Sequence, residues 1–485
     1  MKGAILITGT ASDAGKSVVV AALCRWLTRQ GVRVAPFKAQ NMSLNSTVTR
    51  SGAEIGRAQA MQAAACGIEP EAAMNPVLIK PSGNRKSQVL VMGKPYADAT
   101  ARSYQELKHE LKQPVIEALN ELRSRFDVVV CEGAGSPAEI NLREGDLANM
   151  GLARAADLPV LVIGDIDRGG VFPSLYGTLA LLEPEDQALI AGFLINKFRG
   201  DPSILAPGLD MLKNLTGRDT LGVLPWLDGP FIDAEDSLAL RQDHTTPGTL
   251  DVAVIRLRWM SNFTDVDALA AEPGVSVRYT RSPADVERAD LVVLPGTKAT
   301  VEDLKRLRAD GLDQALLRRR GPILGICGGY QMLGDRIEDG VESDESATGL
   351  RLLDVNTTFA PEKLLRQVSG TVLGVPATGY EIRHGRVDRA EPLIQREDVL
   401  GTAWHGLLEG DEVRRKLLSW VADRTGRDWT PGTRAFKDVR EAHLDRLADW
   451  FGANVDPAAL TDLIQRGAPE GLPTIPPGGA ACSVF

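Results

Sequence analysis

Cysteine and long apolar runs are scarce in this 485-residue chain, and each shortage excludes a class of protein. The five cysteines stand far apart and form no Cys-x-x-Cys pair, which excludes a disulfide framework and a structural zinc site. No apolar stretch reaches the roughly 18 residues of a membrane span, and the run that follows Met1 is too short for a signal peptide. We therefore expect a cytoplasmic protein without a membrane partner.

An excess of positive charge is also missing. The chain has 55 Lys and Arg against 64 Asp and Glu, which gives a net charge of −9. Binding of duplex nucleic acid needs clustered cationic side chains, so no nucleic-acid partner is expected. The composition is otherwise that of a folded protein, and the length exceeds what one hydrophobic core usually reaches. Two or three domains are expected.

Short apolar runs alternate with longer amphipathic segments, a pattern typical of an α/β fold with parallel strands. Strands are predicted at Ala4–Thr8, Val32–Pro36, Val128–Cys131, Pro159–Ile163 and Gly192–Asn196. After an interruption over Asp236–Leu250, further strands are predicted at Val252–Leu257, Leu291–Leu294 and Pro322–Ile326. The pattern predicts one domain over residues 1–240, a second over 251–425, and a helical extension over 426–485 whose flexible tail begins at Gly471.

A glycine-rich loop, residues 9–17 (GTASDAGKS), follows the first predicted strand and precedes an apolar helix. Strand, loop and helix in this order indicate a phosphate-binding loop. Its backbone N–H groups would surround phosphates, Lys16 would neutralise β- and γ-phosphate oxygens, and Ser17 would bind Mg²⁺. The loop is one residue longer than the usual GxxxxGK[ST] pattern. An ATP or GTP site is predicted, with these nucleotide-binding residues: Gly9, Thr10, Asp13, Gly15, Lys16 and Ser17.

Three further polar residues follow predicted strands, at the edge where open α/β sheets bind their ligands. Lys38 could reach the γ-phosphate or an incoming carboxylate, and Glu132 is predicted as a second Mg²⁺ ligand. Asn196 is predicted to contact the nucleotide base. Each has a structural alternative: Lys38 could be a solvated lysine, Glu132 a helix-capping or salt-bridged acid, and Asn196 part of a simple turn.

Cys327 stands among glycines between a predicted strand and a helix, the arrangement of a nucleophile elbow. A thiol on such a turn is exposed, and the helix N-terminus behind it favours the thiolate. The backbone N–H groups of Gly328 and Gly296 are the predicted oxyanion donors. The alternative is a buried core cysteine, but core cysteines are not normally set among glycines at such a turn.

A cysteine nucleophile needs a base, and the chain has only five histidines. His405 is the best candidate, because it follows an apolar run in the same predicted domain, and His384 is its rival. His109 and His443 lie in charged helical segments and His244 lies in the predicted linker. A Cys327–His405 pair is therefore predicted to attack an amide carbonyl.

The longer phosphate loop resembles that of dethiobiotin synthetase and its relatives, which phosphorylate carboxylates. The chain joins this loop to a cysteine amidase site. The pairing indicates that ammonia released from glutamine attacks an acyl phosphate, because phosphate leaves far more easily than hydroxide. With the synthetase part first and the glutaminase part second, the chain resembles the cobyrinate amidotransferases, and in particular their cobyric acid synthase group. The motifs that carry the resemblance span most of residues 1–410: Lys38–Ser46, Gln59–Ala64, Met74–Pro81, Glu132–Leu142, Asp165–Gly170 and Gly325–Gln331.

The resemblance implies an α/β protein in which a P-loop parallel-sheet synthetase domain is followed by a class I glutamine amidotransferase domain. It implies amidation of the b, d, e and g side-chain carboxylates of adenosylcobyrinic acid a,c-diamide, giving cobyric acid in cobalamin biosynthesis. ATP, Mg²⁺, L-glutamine and a corrinoid are the implied cofactors and substrates, and a homo-oligomer is left open. A neutral loop is assigned to the corrinoid: Gln40, Asn41, Ser43 and Asn45. Asp146 is assigned to orienting or deprotonating ammonium, the alternative being a solvated loop acid.

Two positions depart from the family pattern. Leu407 occupies the place of an expected orienting glutamate, so a Cys327–His405 dyad is predicted, with Glu409 as the candidate orienter. Arg383 occupies the place of an expected histidine, and His384 stands one residue later. Two alternatives stay open. One is a cobyrinic acid a,c-diamide synthase or another carboxylate amidotransferase, and the other is a partitioning-type ATPase switch, although those switches carry a lysine where this chain has Ala11.

Overall fold

The computed structural model describes residues 1–82, 86–227 and 250–476. The predicted interruption at 236–250 therefore lies outside the described residues except for Leu250, and so do His244, Cys482 and the tail beyond residue 476. Within the described part of the chain, no helix is long and apolar enough to cross a membrane. The four cysteines in that part are all free and buried.

The first domain is built on a six-stranded parallel sheet with a smaller sheet beside it. Its strands are β1 (Gly3–Gly9), β2 (Val34–Phe37), β3 (Gln40–Met42), β4 (Ser46–Val48), β5 (Glu54–Gly56), β6 (Val77–Ser82), β7 (Lys86–Val91), β8 (Lys94–Ala99), β9 (Val128–Glu132), β10 (Val160–Asp165), β11 (Ile190–Phe198) and β12 (Asp219–Pro225). Its helices are α1 (Lys16–Arg29), α2 (Arg57–Ala65), α3 (Ala101–Arg125), α4 (Met150–Ala156), α5 (Val171–Ala180), α6 (Pro184–Gln187) and α7 (Ala206–Thr216).

The main sheet has the strand order β12-β11-β10-β1-β9-β2, and every neighbouring pair is parallel. Its central strands are apolar along their whole length because helices cover both faces. The five strands predicted for this domain all lie in this sheet, with ends shifted by up to two residues. The sheet β3-β6-β7-β8 and the hairpin β4-β5 were not predicted, because β3 to β5 span only three residues each and the short apolar runs of β6 and β7 show no alternating pattern.

The second domain repeats the parallel pattern and adds a long hairpin. Its strands are β13 (Leu250–Ile255), β14 (Val275–Thr280), β15 (Leu291–Leu294), β16 (Ile323–Ile326), β17 (Arg336–Asp339), β18 (Glu345–Thr348), β19 (Asn356–Val372), β20 (Val375–Val387), β21 (Ile394–Arg396) and β22 (Val399–Thr402). Its helices are α8 (Asp267–Ala270), α9 (Pro283–Arg288), α10 (Thr300–Ala309), α11 (Leu312–Arg318), α12 (Gly328–Leu333) and α13 (Asp411–Thr425). The main sheet has the order β14-β13-β15-β16-β22-β21, and only β21 is antiparallel to its neighbour.

The C-terminal extension returns to the first domain instead of standing apart. It contains α14 (Phe436–Gly452) and α15 (Pro457–Arg466), which cover one face of the first sheet together with α1. The rings of Trp26 and Phe451 meet edge to face at 6.2 Å. Part of the segment predicted to be a flexible tail packs on the first domain: Ile475 is buried and its backbone N–H donates to Gln187 Oε1 at 2.7 Å. Its flexibility stays a prediction.

Candidate active sites

The phosphate-binding loop lies at the carboxyl end of β1 and leads directly into α1. Gly15, immediately before the helix, has φ of +97°, a conformation that favours glycine. A Cβ atom at Gly15 would stand 2.2 Å from Asn196 Nδ2, so the close approach of Asn196 also requires glycine there. Lys16 Nζ donates to the carbonyl oxygens of Ala11 and Ser12 at 2.9 and 3.0 Å. The loop therefore curls around the lysine that is predicted to contact phosphates.

Glu132 is the centre of the polar network beside this loop. It is fully buried at the end of β9, and β9 lies between β1 and β2 in the sheet. Its Oε1 atom accepts hydrogen bonds from Ser17 Oγ and Lys38 Nζ, both at 2.7 Å, and Oε2 accepts one from Gln62 Nε2 at 2.6 Å. Because neighbouring parallel strands end at one edge, residues far apart in sequence meet here.

The donor atoms at this point suit Mg²⁺. Ser17 and Glu132 offer a hydroxyl and a carboxylate, and the buried Gln62 Oε1 has no hydrogen-bond partner among the residues that the structure describes. Oxygen ligands of this kind are the ones that Mg²⁺ prefers, in combination with substrate phosphates. Over the described ranges, no group of three or more His, Cys, Asp and Glu side chains could hold a metal by itself. The ion would therefore be shared between these residues and phosphate oxygens.

Asn196 and Asp13 make contacts that support the loop. Asn196 Nδ2 donates to the Ala14 carbonyl at 2.9 Å, and its Oδ1 accepts the Lys197 N–H at 2.8 Å. Asp13 Oδ2 accepts from Arg168 Nη2 at 2.9 Å, and the Asp13 carbonyl accepts from Lys197 Nζ at 2.6 Å. These bonds give both residues a role in holding the loop, and their contacts with a nucleotide remain predictions.

Asp146 stands at the start of α4, where its carboxylate accepts three backbone N–H groups. Oδ1 accepts from Ala148 and Asn149 at 2.9 and 3.0 Å, and Oδ2 accepts from Gly151 at 2.9 Å. Such bonds satisfy the free N–H groups of a helix start. The structure thus supplies a capping role for Asp146 that differs from the solvated-acid alternative, while its predicted role toward ammonium remains a prediction.

The loop assigned to the corrinoid lies at the boundary between the two domains. Gln40 accepts from Tyr104 Oη at 2.6 Å, and Asn41 donates to Gln59 Oε1 at 2.8 Å. Asn45 Oδ1 accepts from Thr264 Oγ1 of the second domain at 3.0 Å. Asn41, Ser43 and Asn45 are all buried, which the sequence did not indicate for a substrate-facing loop. Their contact with substrate remains a prediction.

Cys327 lies at the carboxyl end of β16, directly before α12. It has φ of +51° and ψ of −107°, a conformation rare for a residue with a side chain, which costs on the order of 1–3 kcal/mol. Its N–H donates to the Thr402 carbonyl at 2.8 Å and thereby ties the turn to the end of β22. A strained cysteine at a strand-to-helix turn fits the predicted nucleophile elbow, but the residue is buried, whereas the sequence predicted an exposed thiol.

His405 follows β22, the strand next to β16, so the sheet itself brings the imidazole to the thiol. The imidazole is buried, and its Nδ1 atom lies 2.7 Å from Asp265 Oδ2. The other Asp265 oxygen accepts the Gly406 N–H at 2.8 Å. The predicted dyad is therefore corrected to a Cys327–His405–Asp265 arrangement, in which a carboxylate orients the base.

Glu409, the predicted orienter, is turned away from the base. Its carboxylate forms ion pairs with Arg57 of the first domain and with Arg440 of α14. Asp265 was missed because it stands 140 residues before His405. One signal could have found it: an acid in the turn after the first strand of the second domain reaches the same sheet edge as Cys327.

Opposite charges set the protonation state of His405. Burial lowers its pKa, but the charges of Asp265 and Cys327, with hydrogen bonds to both, raise the pKa of His405 to about 10. The imidazole is therefore protonated near neutral pH. Burial lowers the pKa of the rival, His384. Its Nδ1 atom is 3.1 Å from the Ala360 carbonyl and its Nε2 atom is 3.4 Å from Gln88 Nε2, so His384 lines the cavity but is engaged away from Cys327.

The proposed oxyanion donors lie on adjoining turns. A Cβ atom at Gly328 would stand 3.0 Å from the Thr297 backbone nitrogen, and one at Gly296 would stand 2.9 Å from His405 Cε1. The turn after β15 is therefore pressed against the nucleophile turn and the base. This placement suits two N–H donors that share one oxyanion, although their role remains a prediction.

The cavity at Cys327 is completed by the first domain. Lys80 of β6 lines it together with Lys363 of β19, and Glu54 bridges the two ammonium groups at 2.6 Å each. Burial opposes ionisation of Glu54, but the charges of Lys363 and Lys80 hold its pKa well below its usual range. The cavity holds only about 30 Å³, room for about one water molecule.

Tyr380 connects the base to the first domain. Its ring stacks on the His405 imidazole with centroids 5.7 Å apart, and its backbone exchanges two hydrogen bonds with His405. The phenol accepts from Asn262 Nδ2 at 3.0 Å and donates to the Ser46 carbonyl at 3.2 Å. Ser46 directly follows the polar loop at residues 40–45, so a short chain of contacts joins that loop to the base.

Family models match both halves of the chain. Residues 5–235 match the CobQ/CobB/MinD/ParA nucleotide binding domain, and residues 251–413 match the CobB/CobQ-like glutamine amidotransferase domain. Cobyric acid synthase of Streptomyces coelicolor is 56% identical over 99% of this chain and 100% of its own length. The chain belongs to the cobyric acid synthase family. It is accordingly a glutamine-dependent amidotransferase, and the predicted fold class is confirmed.

Other members of the family are similarly close. Cobyric acid synthase of Rhodococcus jostii is 56% identical over 98% of both chains, and that of Frankia casuarinae is 54% identical over 99% of this chain and 100% of its own. A solved glutamine amidotransferase structure is 19% identical and covers 36% of this chain and 98% of its own, with a TM-score of 0.29. The assignment rests on the family members, whose similarity runs through both domains, and a partitioning-type switch is set aside.

Proposed function

We propose that this amidotransferase converts the b, d, e and g side-chain carboxylates of adenosylcobyrinic acid a,c-diamide to amides, consuming one ATP and one glutamine at each. The observation that carries the proposal is the presence of two sites in one chain. One is a phosphate loop whose Ser17 contacts Glu132, and the other is the Cys327–His405–Asp265 arrangement. The names of the full-length relatives supply the corrinoid.

At the glutaminase site, the Cys327 thiolate attacks the side-chain carbonyl carbon of glutamine. The backbone N–H groups of Gly328 and Gly296 stabilise the oxyanion as the carbon becomes tetrahedral. Protonated His405 gives its proton to the departing nitrogen, and ammonia leaves while a thioester stays on Cys327. Water, activated by His405, then hydrolyses the thioester to glutamate and frees the thiol. Asp265 holds the imidazole in place and stabilises its charge throughout.

At the nucleotide site, Lys16 and the loop N–H groups bind the β- and γ-phosphates. Ser17 and Glu132 would hold Mg²⁺, which would supply positive charge to the phosphates when bound. Lys38 lies against the same carboxylate and is placed to orient the incoming substrate carboxylate. A carboxylate oxygen attacks the γ-phosphorus, the bond to ADP breaks, and an acyl phosphate forms. Ammonia then attacks the acyl carbon and phosphate leaves.

The proposal is tested by mass spectrometry of cobyrinic acid a,c-diamide, adenosylated and not, after incubation with the full chain, ATP and glutamine. Four successive losses of about 1 Da are expected, because each amidation replaces OH by NH₂. The Cys327→Ser variant with ammonium chloride in place of glutamine is the matched control and should give the same products. If the a,c-diamide is returned unchanged under all these conditions, the proposed substrate is wrong.

A further inference from the structure

A cleft of about 610 Å³ opens between the two domains, on the other side of the wall that bounds the Cys327 cavity. The first domain contributes Met42–Leu44 and Pro81, and the rest comes from the second domain. Residues next to each other in the chain line the two spaces. Pro81 and Met260 line the cleft, whereas their neighbours Lys80 and Ser261 line the Cys327 cavity. The cleft is therefore next to the site where ammonia is proposed to form.

The cleft is both apolar and cationic. Apolar side chains such as Met260 and Phe263 lie beside four arginines, Arg256, Arg258, Arg281 and Arg306, against two aspartates. Asp310 pairs with Arg281 and Arg306, while Asp303 is buried and accepts from Thr297 and two backbone N–H groups. The lining therefore carries a net positive charge, although the whole chain has a net charge of −9.

Arg256 distinguishes this cleft from an ordinary surface groove. It follows β13 directly, at the sheet edge where α/β folds bind ligands. Its backbone N–H donates to Thr280, yet across the described residues its guanidinium has no hydrogen bond or ion pair. The side chain is only partly exposed. A half-buried guanidinium without a protein partner is suited to a carboxylate supplied by a ligand.

The cleft also adjoins the nucleotide site through the polar loop. Lys38, which contacts Glu132, stands only five residues before Ser43 in the cleft wall. Five residues of extended chain span at most about 17 Å. A ligand of macrocycle size in the cleft could therefore extend one side chain toward Lys38 while other parts of it stay on the arginines.

We infer that this cleft binds the body of an amphipathic polycarboxylate macrocycle, with Arg256 pairing to a carboxylate other than the one being activated. The inference rests on the proposed function, since that function supplies a substrate with several carboxylates on one apolar ring. Each amidation replaces a charged carboxylate by a neutral amide, so the arginines hold the ligand less tightly after each step. Affinity then falls from substrate to product, which favours release of the finished amide.

The test measures equilibrium binding to the full chain by titration calorimetry, in the absence of ATP and glutamine. The two probes are cobyrinic acid a,c-diamide and its b,d,e,g-amidated product, which carries four fewer negative charges. For the unaltered chain we expect tighter binding of the a,c-diamide, and a preference that shrinks as salt is raised. Arg256→Gln should weaken binding of the a,c-diamide about tenfold and of the product about twofold or less, because one charged pair is lost.

Arg318→Gln is the matched control, since Arg318 is exposed on α11 of the same domain and pairs with Glu287 outside the cleft. The Arg318→Gln variant should bind both probes as the unaltered chain does. The Arg256→Lys variant should recover part of the affinity for the a,c-diamide that Arg256→Gln loses. Equal binding of the two probes by the unaltered chain would overturn the inference, and this readout does not depend on any variant folding. So would an Arg256→Gln effect of the same size on both probes. Failure of the unaltered chain to amidate the a,c-diamide would instead count against the proposed function.

Discussion

The two candidate active sites of this chain are assembled in different ways. At the nucleotide site, Ser17 of α1, Lys38 after β2 and Gln62 of α2 converge on one buried carboxylate, Glu132, and all of them belong to the first domain. At the glutaminase site, a strained cysteine and a paired histidine come from the second domain, but Lys80 of the first domain closes the cavity. The first site is complete within one domain, whereas the second depends on how the domains meet. Under the proposed function, ammonia would therefore form in a cavity that the first domain helps to build.

The sharpest separation of the two sites comes from the nucleophile. Cys327→Ser should lower glutamine-dependent amidation about 10³-fold or more, because a serine hydroxyl is a far weaker nucleophile than a thiolate. Activity with ammonium chloride should persist. The measurement is product formation with each nitrogen source, and Cys66→Ser, at a buried cysteine outside the site, is the control. Equal loss with both nitrogen sources would contradict the two-site comparison.

Removal of the loop lysine should affect both nitrogen routes alike. Lys16→Ala should lower amidation about 10²-fold or more with glutamine and with ammonia, because the phosphates lose their neutralising charge. Glutamine hydrolysis to glutamate, followed separately, should change much less. Lys94→Ala, at an exposed lysine of β8, is the control and should behave as the unaltered chain does. Persistence of ammonia-dependent amidation in Lys16→Ala would show that the loop is not the activating site.

The partner of the base should set the alkaline limit of glutaminase activity. His405 has a pKa of about 10, above its ordinary 6.5, so it stays protonated across neutral pH. Asp265→Asn removes the opposite charge, and we expect the alkaline limb of the pH–rate profile to move toward neutrality. A loss of about 10²-fold at pH 8 should accompany it. Glu409→Gln is the control, and it should leave the limb in place.

The same shift has a consequence for stability. Because the pKa of His405 is higher in the folded chain, the protonated imidazole stabilises the fold fully below about pH 6.5. This contribution is lost as pH rises through about 10. Thermal unfolding measured between pH 6 and 10 should show a smaller decline for Asp265→Asn than for the unaltered chain. Parallel curves would mean that the ion pair does not stabilise the fold.

The smallest effect concerns the contact between the domains. Tyr380→Phe keeps the ring on His405 but removes the hydrogen bond to the Ser46 carbonyl. Glutamine hydrolysis without acceptor should rise or fall by about two- to fivefold, because a single hydrogen bond is worth about 1 kcal/mol. Ammonia-dependent amidation should not change. The readout is the ratio of glutamate to amide formed, with Tyr96→Phe, at an exposed tyrosine, as the control.

The sequence anticipated each element whose signal is local. The phosphate loop, the glycines around Cys327 and the buried parallel strands all carry their pattern within about ten residues. His405 could be selected because few histidines were available and because it follows an apolar run. Asp265 could not be selected, since its only link to His405 is a contact across 140 residues. Strands β3 to β8 were not predicted either, because β3 to β5 have only three residues each and no alternating hydrophobic pattern marks β6 to β8.

By itself, the sequence determined an α/β chain and predicted a phosphate loop first and a nucleophilic cysteine second, because hydrophobic period and glycine placement act over short distances. Only the tertiary structure decided which acid contacts His405, that the Asp146 carboxylate accepts backbone N–H groups at and before the start of α4, and that α14 and α15 return to the first domain. It alone revealed the lysine wall of the cavity and, in the cleft, an Arg256 guanidinium that makes no hydrogen bond or ion pair with the described residues. These features arise where distant strand ends and two domain surfaces meet, and a pairing of that kind leaves no regular spacing in the chain.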